Sequence, residues 1–536
     1  MQTRTLALLL GRLHLGELSV ALAARYGNRV LIEAADGPGL MGRSEWTAAE
    51  LEVDVAGLAA AHRAAGLAVG ATVLIAVENR VELLLHVLAL ARLGAVPAPV
   101  SPRLKPGEQA AVAAATQATG LIFGEPWASA LPALTSQVSE AALSDWLAAN
   151  PEAAAPAPER GDPAATALLL CTSGTTGRPK AAALSSRGLI QRWGLLGLSP
   201  ALGRSWGPRA GRDRVLSALP LAHVMGLSVA LSCLGSGVRW LHRGRFEAAA
   251  MLDLIEAKRP NVVVAVPTMF ADLEAAGAAR RDLSSVQLWV SGADAMPADR
   301  ARRFRGYGGA VRLAGRGLGA SAFVDAYGMV ELSGPVAMRA FPPTPSERLA
   351  PATPYVVLPP TRVRVVDPGG QPLGWGTTGE LQFRGPGVLR EYREHRQAGP
   401  DKQGWFSTGD YARTWPGGIF SLAGRSADRL KISGFSVFPA EVEALLVEHP
   451  EVRDVAVVGL PDPRTGQRLV ALVVPAGELD EAAFLEWARE QVVGYRRPRA
   501  VQRVEALPRG HNGKLDRRAA TALAETLTLL GRAGQE

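Results

Sequence analysis

Apolar and polar positions along the chain alternate between two textures. Short runs rich in β-branched residues, "TVLIAV" (72–77), "NVVVAV" (261–266) and "VQLWVSG" (286–292), predict buried strands. Each is followed by an Ala- and Leu-rich or amphipathic stretch of helical spacing: "RVELLLHVLALARLG", "PTMFADLEAAG" and "MPADRARRF". Repeated strand–helix alternation predicts an α/β fold with largely parallel sheets, because parallel neighbours need a crossover. The segment "NPEAAAPAPERGDPAA" (150–165) reads as an exposed connection. From about 353 to 384 the texture becomes Pro- and Gly-punctuated strands without helices, "YVVLPPTRVRVVDPGG" and "TTGELQFRG", which predicts a small antiparallel β unit.

Beyond "SLAGRSADRLKISGF" a third pattern begins. "PAEVEALLVEHPEV" and "DEAAFLEWAREQVV" predict helices, and "RDVAVVGLPD" and "QRLVALVVP" predict strands. Together they make a compact α+β domain of roughly a hundred residues. The expected organisation is a large α/β domain over 1–425, a hinge at 426–428 and a small α+β domain over 429–536. At the N-terminus, Leu10, Leu13, Leu15, Leu18 and Leu22 have helical spacing and predict a docking helix rather than a signal peptide. No window reaches the ~18 apolar residues of a membrane span. The nearest, "LAHVMGLSVALSCLGSGV", is broken by His223 and glycines and reads as a buried helix. A cytoplasmic protein without stable membrane insertion is expected.

Composition narrows this further. Of 536 residues, 48% are hydrophobic and 20% charged, which suits a globular chain with a large core. The two cysteines, Cys171 and Cys233, imply neither a disulfide framework nor a zinc site. The net charge of +8 is scattered and interleaved with acidic residues. A solvated basic surface with acidic small-molecule ligands is expected, and no nucleic acid. Of the 58 basic residues only six are lysines: Lys105, Lys180, Lys258, Lys402, Lys431 and Lys514. In a chain so rich in arginine, a lysine in a Gly-rich loop points to a need for a compact point charge.

Such a loop follows the apolar run at 168–170, in "LLLCTSGTTGRPKAA". Gly174 and Gly177 free the backbone to turn its N–H groups toward an anion, Ser173, Thr175 and Thr176 add hydroxyls, and Lys180 adds charge. The spacing departs from the usual nucleotide loop, since Arg178 and Pro179 separate Gly177 from Lys180. Four further strings are individually weak. "DAYGMVELSG" offers Tyr327 for stacking beside Gly328, and Glu331 as an oxygen ligand for Mg²⁺. "GWFSTGD" ends on Asp410, a carboxylate suited to the hydroxyls of a ribose. "GRSADRLKISG" carries Arg425 and Lys431, and alone reads as a basic surface loop. "LPRGHNGKLDRR" carries Lys514, and alone reads as a basic tail.

In this order the five strings resemble one family: the adenylate-forming superfamily of acyl-CoA synthetases, firefly-type luciferases and peptide-synthetase adenylation domains. The resemblance spans nearly the whole chain. It implies that Thr172, Ser173, Gly174, Thr175, Thr176, Gly177 and Lys180 surround the β- and γ-phosphates of ATP. It implies an adenine pocket lined by Gly292, Ala293 and Asp294 on one side and Asp325, Ala326, Tyr327 and Gly328 on the other. Glu331 matches the Mg²⁺-associated glutamate, and Asp410 and Arg425 match the ribose site. Lys514 matches the lysine that bridges the attacking carboxylate and the α-phosphate. His223, in "LPLAHVMGL", matches a histidine beside the acyl carboxylate, the alternative being a satisfied core histidine. Lys431 and Gly434 belong to the segment that serves the second step, after rotation of the small domain. Two positions depart from the family: Val330 replaces the usual Thr, and Ala427 occupies a hinge position that usually holds Asp or Lys.

The implied activity is that of an acyl-CoA synthetase using ATP, Mg²⁺ and coenzyme A, with a carboxylic acid, expected to be a fatty acid, as substrate. Val224, Met225 and Leu227 suit an aliphatic or aromatic acid. Two other readings stand beside it. One is a stand-alone adenylating enzyme that loads a carrier protein or makes an amide. The other is a nucleotide-binding regulator, against which Lys180, Glu331, Asp410 and Lys514 argue. A homodimer is left open.

Overall fold

The computed structural model describes residues 12–536 except 125–126, 128–130, 132–133, 174–178, 191–208, 314–315, 342–353, 395–398, 433–434, 493, 510–514 and 534–536. Side chains are also outside the description at 173, 311–313, 316–318, 427, 431, 435–436, 495 and 530–533. The fold is mixed α/β, with a large N-terminal and a small C-terminal part. By contacts the chain forms two compact units, Met1–Pro343 with Val357–Arg362 and Arg384–Phe406, and Thr344–Val356 with Val363–Phe383 and Ser407–Glu536.

In the larger unit the main sheet runs, in spatial order, Gly334–Ala340, Ala322–Met329, Leu288–Gly292, Val262–Val264, Arg214–Ser217, Arg239–His242, Val30–Ala34 and Glu45–Thr47. Its interior pairs are parallel and its two outer pairs antiparallel. A second sheet, Val96–Pro99, Thr72–Ala76, Gly120–Phe123 and Ser136–Ser139, is wholly parallel. The strand–helix alternation predicts this layering, since helices must cover both faces of parallel sheets. Pro267 starts the helix Pro267–Ala275 directly after the strand, where its missing N–H costs nothing. The helix Val81–Leu93 is buried along its whole length, as an apolar helix between layers should be. Phe270, Trp289, Phe304 and Phe323 fill the core with edge-on and tilted ring contacts. At the N-terminus Leu13, Leu15, Leu18 and Leu22 are buried along a short turn, Leu15–Glu17, and the helix Leu18–Tyr26. Leu10 lies outside the described residues.

In the smaller unit five strands run in the order Arg362–Val366, Thr378–Arg384, Phe406–Trp415, Ile419–Arg425, Tyr355–Val357. After a hairpin of Leu430–Ile432 and Phe435–Val437 comes a three-stranded sheet, Val452–Asp462, Gly466–Pro475 and Ala500–Arg503. Its side chains alternate between two cores. Val455, Val457, Leu469 and Ala471 pack with Val442, Leu446, Phe484 and Ala488 of the helices Pro439–Leu446 and Glu481–Gln491. Ala456, Val458, Val470 and Leu472 pack with Ala520 and Ala524. Those alanines belong to the helix Arg517–Ala533, 17 residues long. The C-terminal stretch is therefore not a basic tail. Its small residues four apart let a helix sit close on the sheet. Among the described residues, no helix is long and apolar enough to cross a membrane.

Two buried histidines tie stability to pH. His62 Nε2 lies 3.0 Å from His86 Nδ1, and burial and the neighbouring His86 push His62 well below its usual range. His242 bonds the carbonyl of Asn79 at 3.1 Å, and burial pulls it down to about 4, against the raising effects of Asn79 and Asp36. Both bind protons more readily when unfolded, so stability is complete above the ordinary histidine pKa and is lost as pH falls below it toward 4. His242 alone accounts for about 3 kcal/mol of that loss at ~1.4 kcal/mol per pKa unit. Urea unfolding midpoints should fall from pH 7 to pH 5, and His242→Gln should flatten the fall. Equal slopes in the two proteins would contradict this origin.

Candidate active site

The strands Leu288–Gly292 and Ala322–Met329 pair in parallel with Ser291 opposite Asp325 and Gly292 opposite Ala326, so their carboxyl ends finish together. That edge is where open α/β sheets bind ligands. At Gly292 an added Cβ would stand 3.1 Å from Met225 Cε and 3.2 Å from the carbonyl of Ala326. Ala293 has φ +71°, and the exposed Asp294 accepts from the N–H of Ala295 at 2.9 Å. The second strand turns through Val330–Leu332 into Gly334–Ala340, with Ser333 at φ 56°. At Gly328 a Cβ would sit 2.3 Å from the carbonyl of Gly334, so only glycine allows this return. Tyr327 and Val330 are half-buried beside it.

The two carboxylates flanking Tyr327 are held differently. Asp325 is buried and receives both Nε and Nη2 of Arg339 on Oδ2 at 2.9 Å. Its side chain is thereby committed to an internal ion pair. Arg339 also reaches the carbonyl of Met296 at 3.4 Å and lies over Phe341. Glu331, also buried, accepts a hydrogen bond from the phenol of Tyr392 at 2.7 Å. Burial, with the adjacent Glu331 carboxylate, pushes that phenol up, so it remains a donor.

Lys180 enters from a third sheet. Strands Thr166–Ser173 and Pro179–Ser185 are antiparallel, with Thr172 opposite Lys180 and Ser173 opposite Pro179. The Lys180 ammonium lies over the Tyr392 ring, 5.6 Å from its centre. His223 is exposed at the N-terminus of the helix Val224–Ser236, which excludes the core-histidine alternative. The larger unit thus brings together Gly292, Ala293, Tyr327, Gly328, Glu331 and Lys180.

Thr172, Ser173, His223, Asp294, Asp325 and Ala326 lie in the same unit, and Asp410, Arg425 and Lys431 in the smaller one. Asp410 and Arg425 face each other across antiparallel strands, with Oδ1 and Nε 3.5 Å apart. Arg425 precedes a 3-10 turn, Ser426–Asp428. Lys431 lies in the strand Leu430–Ile432. Arg517 binds Glu443 through two contacts, 2.7 and 2.8 Å, and Asp428 at 3.0 Å. Gly174, Thr175, Thr176, Gly177, Gly434 and Lys514 lie outside the described residues.

Two residues of this site escaped the sequence reading. Tyr392, in "REYRE", carries no local pattern, and Arg339 looks like any exposed strand residue. What the larger unit offers suits a nucleotide with its cation. An aromatic ring lies beside a glycine turn, one buried carboxylate supplies the hard oxygen that Mg²⁺ prefers, and one ammonium stands nearby.

The AMP-binding enzyme family matches residues 21–393, and the AMP-binding enzyme C-terminal domain matches 441–514. The chain is 32% identical to feruloyl-CoA synthase of an Amycolatopsis species over 480 residues, 88% of this chain and 93% of that protein. It is 32% identical to indoleacetate–CoA ligase of Aromatoleum aromaticum over 482 residues, 85% and 89% of the two chains. The solved structure of ATP-bound MatB from Rhodopseudomonas palustris superposes with a TM-score of 0.75 at 26% identity, covering 95% of this chain and 98% of that one. The chain belongs to the AMP-binding enzyme family, the adenylate-forming superfamily, as an AMP-forming acid–CoA ligase that uses ATP and CoA.

Proposed function

We propose that the chain activates an aromatic carboxylic acid. The acid's carboxylate attacks the α-phosphorus of ATP and pyrophosphate leaves. The thiol of CoA then attacks the acyl-adenylate and AMP leaves. Feruloyl-CoA synthase and indoleacetate–CoA ligase, whose names specify aromatic acids, support this choice over the fatty acid expected from the family resemblance. The observation that carries the nucleotide reading is the meeting of Lys180, Tyr392 and Glu331 beside the Tyr327–Gly328 turn.

In this reading Lys180 and the Thr172–Gly177 loop hold the leaving pyrophosphate, and Glu331 would hold Mg²⁺. Tyr327 and the 292–294 segment hold adenine, and Asp410 with Arg425 holds ribose. His223, exposed at a helix N-terminus, lies beside the acid. Lys514 supplies positive charge where the attacking carboxylate meets the α-phosphate. Both attacker and leaving group are anionic, so such charge lowers the barrier directly. The hinge of the resemblance, residues 426–428, would be the boundary about which the small domain turns, and Lys431 and Gly434 would serve the thiol step.

Mass spectrometry of products from ATP, Mg²⁺ and CoA with a mixed panel of aliphatic and aromatic acids tests the substrate class. CoA thioesters of aromatic acids should dominate. Dominance of long aliphatic thioesters would overturn the aromatic assignment, and AMP-linked acids without any thioester would overturn CoA as acceptor. Lys514→Ala should slow adenylation by ~10²–10³, while thioester formation from added acyl-adenylate persists. Equal loss of both steps would remove Lys514 from its assigned place.

A further inference from the structure

We propose that Tyr392 is a positioning residue of the nucleotide site, its hydroxyl fixing the Glu331 carboxylate and its ring seating the Lys180 ammonium. This rests on the reading in which Glu331 would hold Mg²⁺ and Lys180 the pyrophosphate.

The three residues come from separate parts of the chain and meet because one short segment is stitched to both others. The strand Glu391–Tyr392 pairs with Pro179–Ser185, Tyr392 opposite Ala182 and Glu391 opposite Ala183. The N–H groups of Arg390 and Arg393 donate to the carbonyls of Ala183 and Ala181, both at 2.9 Å. On the other side, the N–H of Leu389 donates to the carbonyl of Glu331 at 2.7 Å, and the Ser333 hydroxyl donates to the carbonyl of Gly387 at 2.8 Å. The backbone of 387–393 therefore holds the Lys180 strand and the Glu331 turn at a fixed separation. Tyr392 is the side chain that spans them.

Its two contacts differ in kind. The hydroxyl makes a 2.7 Å charge-assisted bond to Oε1 of a carboxylate that is 7% exposed. That bond sets the rotation of the carboxyl group, and hence where Oε2 points. A neutral donor achieves this without cancelling the charge. The ring lies under the Lys180 ammonium at 5.6 Å, within cation–π range. It restrains a long side chain without supplying a counter-charge. Both functional charges thus stay available while their positions are set. Partners that orient a metal ligand in this way typically account for ~10–100-fold in metal affinity.

The experiment measures equilibrium ATP binding by calorimetry on the full chain, without any acid, so that no turnover occurs, as Mg²⁺ is varied. Tyr392→Phe keeps the ring and removes the hydroxyl. It should raise the Mg²⁺ concentration for half-maximal ATP binding roughly tenfold, leave AMP affinity unchanged, and leave Lys180 seated. Tyr392→Leu should in addition weaken ATP binding in Mg²⁺-free buffer. Melting curves of the free proteins separate this from a folding defect. The double variant Tyr392→Phe with Glu331→Gln should bind no worse than Glu331→Gln alone, as expected when one residue acts through the other. If Glu331→Gln leaves the Mg²⁺ midpoint in place, the underlying reading of Glu331 fails. If Glu331→Gln moves it and Tyr392→Phe does not, or if Tyr392→Phe weakens AMP and Mg²⁺-ATP equally, the positioning role alone fails.

Discussion

The site of the larger unit depends on one close approach. Strand Ala322–Met329 folds back so tightly at Gly328 that a single methyl group would sit 2.3 Å from the carbonyl of Gly334. Real Cβ atoms do not come so near, so the return exists only with glycine there. The tightness is continued by Ser333 and Gly334, both in left-handed backbone conformations. Because the turn is that compact, Tyr327 just before it and Glu331 just after it stay at the same end of the sheet. A looser turn would leave the aromatic ring and the carboxylate without a fixed relation.

Around that turn the protein solves the burial of two carboxylates in opposite ways. A buried carboxylate must be paired or hydrogen-bonded to be tolerated. Asp325 is neutralised by the fork of Arg339, which ties the strand to its neighbour. Glu331 is met by a phenol, and among the described residues no basic side chain forms an ion pair with it. Six positions apart, one carboxylate is bound by a guanidinium and the other by a phenol.

Much of this was legible in the sequence, and the pattern of what was not has a physical reason. Strand–helix alternation survives translation into sheets because period and burial are local properties of a segment. The glycine turn at 328 and the lysine at 180 could be read because their chemistry lies within a few residues. Tyr392 could not, since its value comes from Lys180 and Glu331, which the fold brings to it from far along the chain. Arg339 was hidden for the same reason. The C-terminal helix was hidden otherwise: its contact face mixes Ala520 and Ala524 with Leu523 and Leu527, directly after the basic run that marks its start. Asp325 is the instructive middle case. The motif located it, but its neighbour across the strand, not the motif, decides what its carboxylate does.

The division of labour between arginine and lysine follows from geometry. Arg517 grips Glu443 through two contacts and reaches Asp428 with a third nitrogen, joining the helix Pro439–Leu446 to the turn Ser426–Asp428. A planar guanidinium suits such a joint because its donors diverge in fixed directions. An ammonium would satisfy one partner and leave the other half-buried carboxylate short. In the sequence Arg517 stands three positions after Lys514, and its ion pairs fix the chain where the helix Arg517–Ala533 begins.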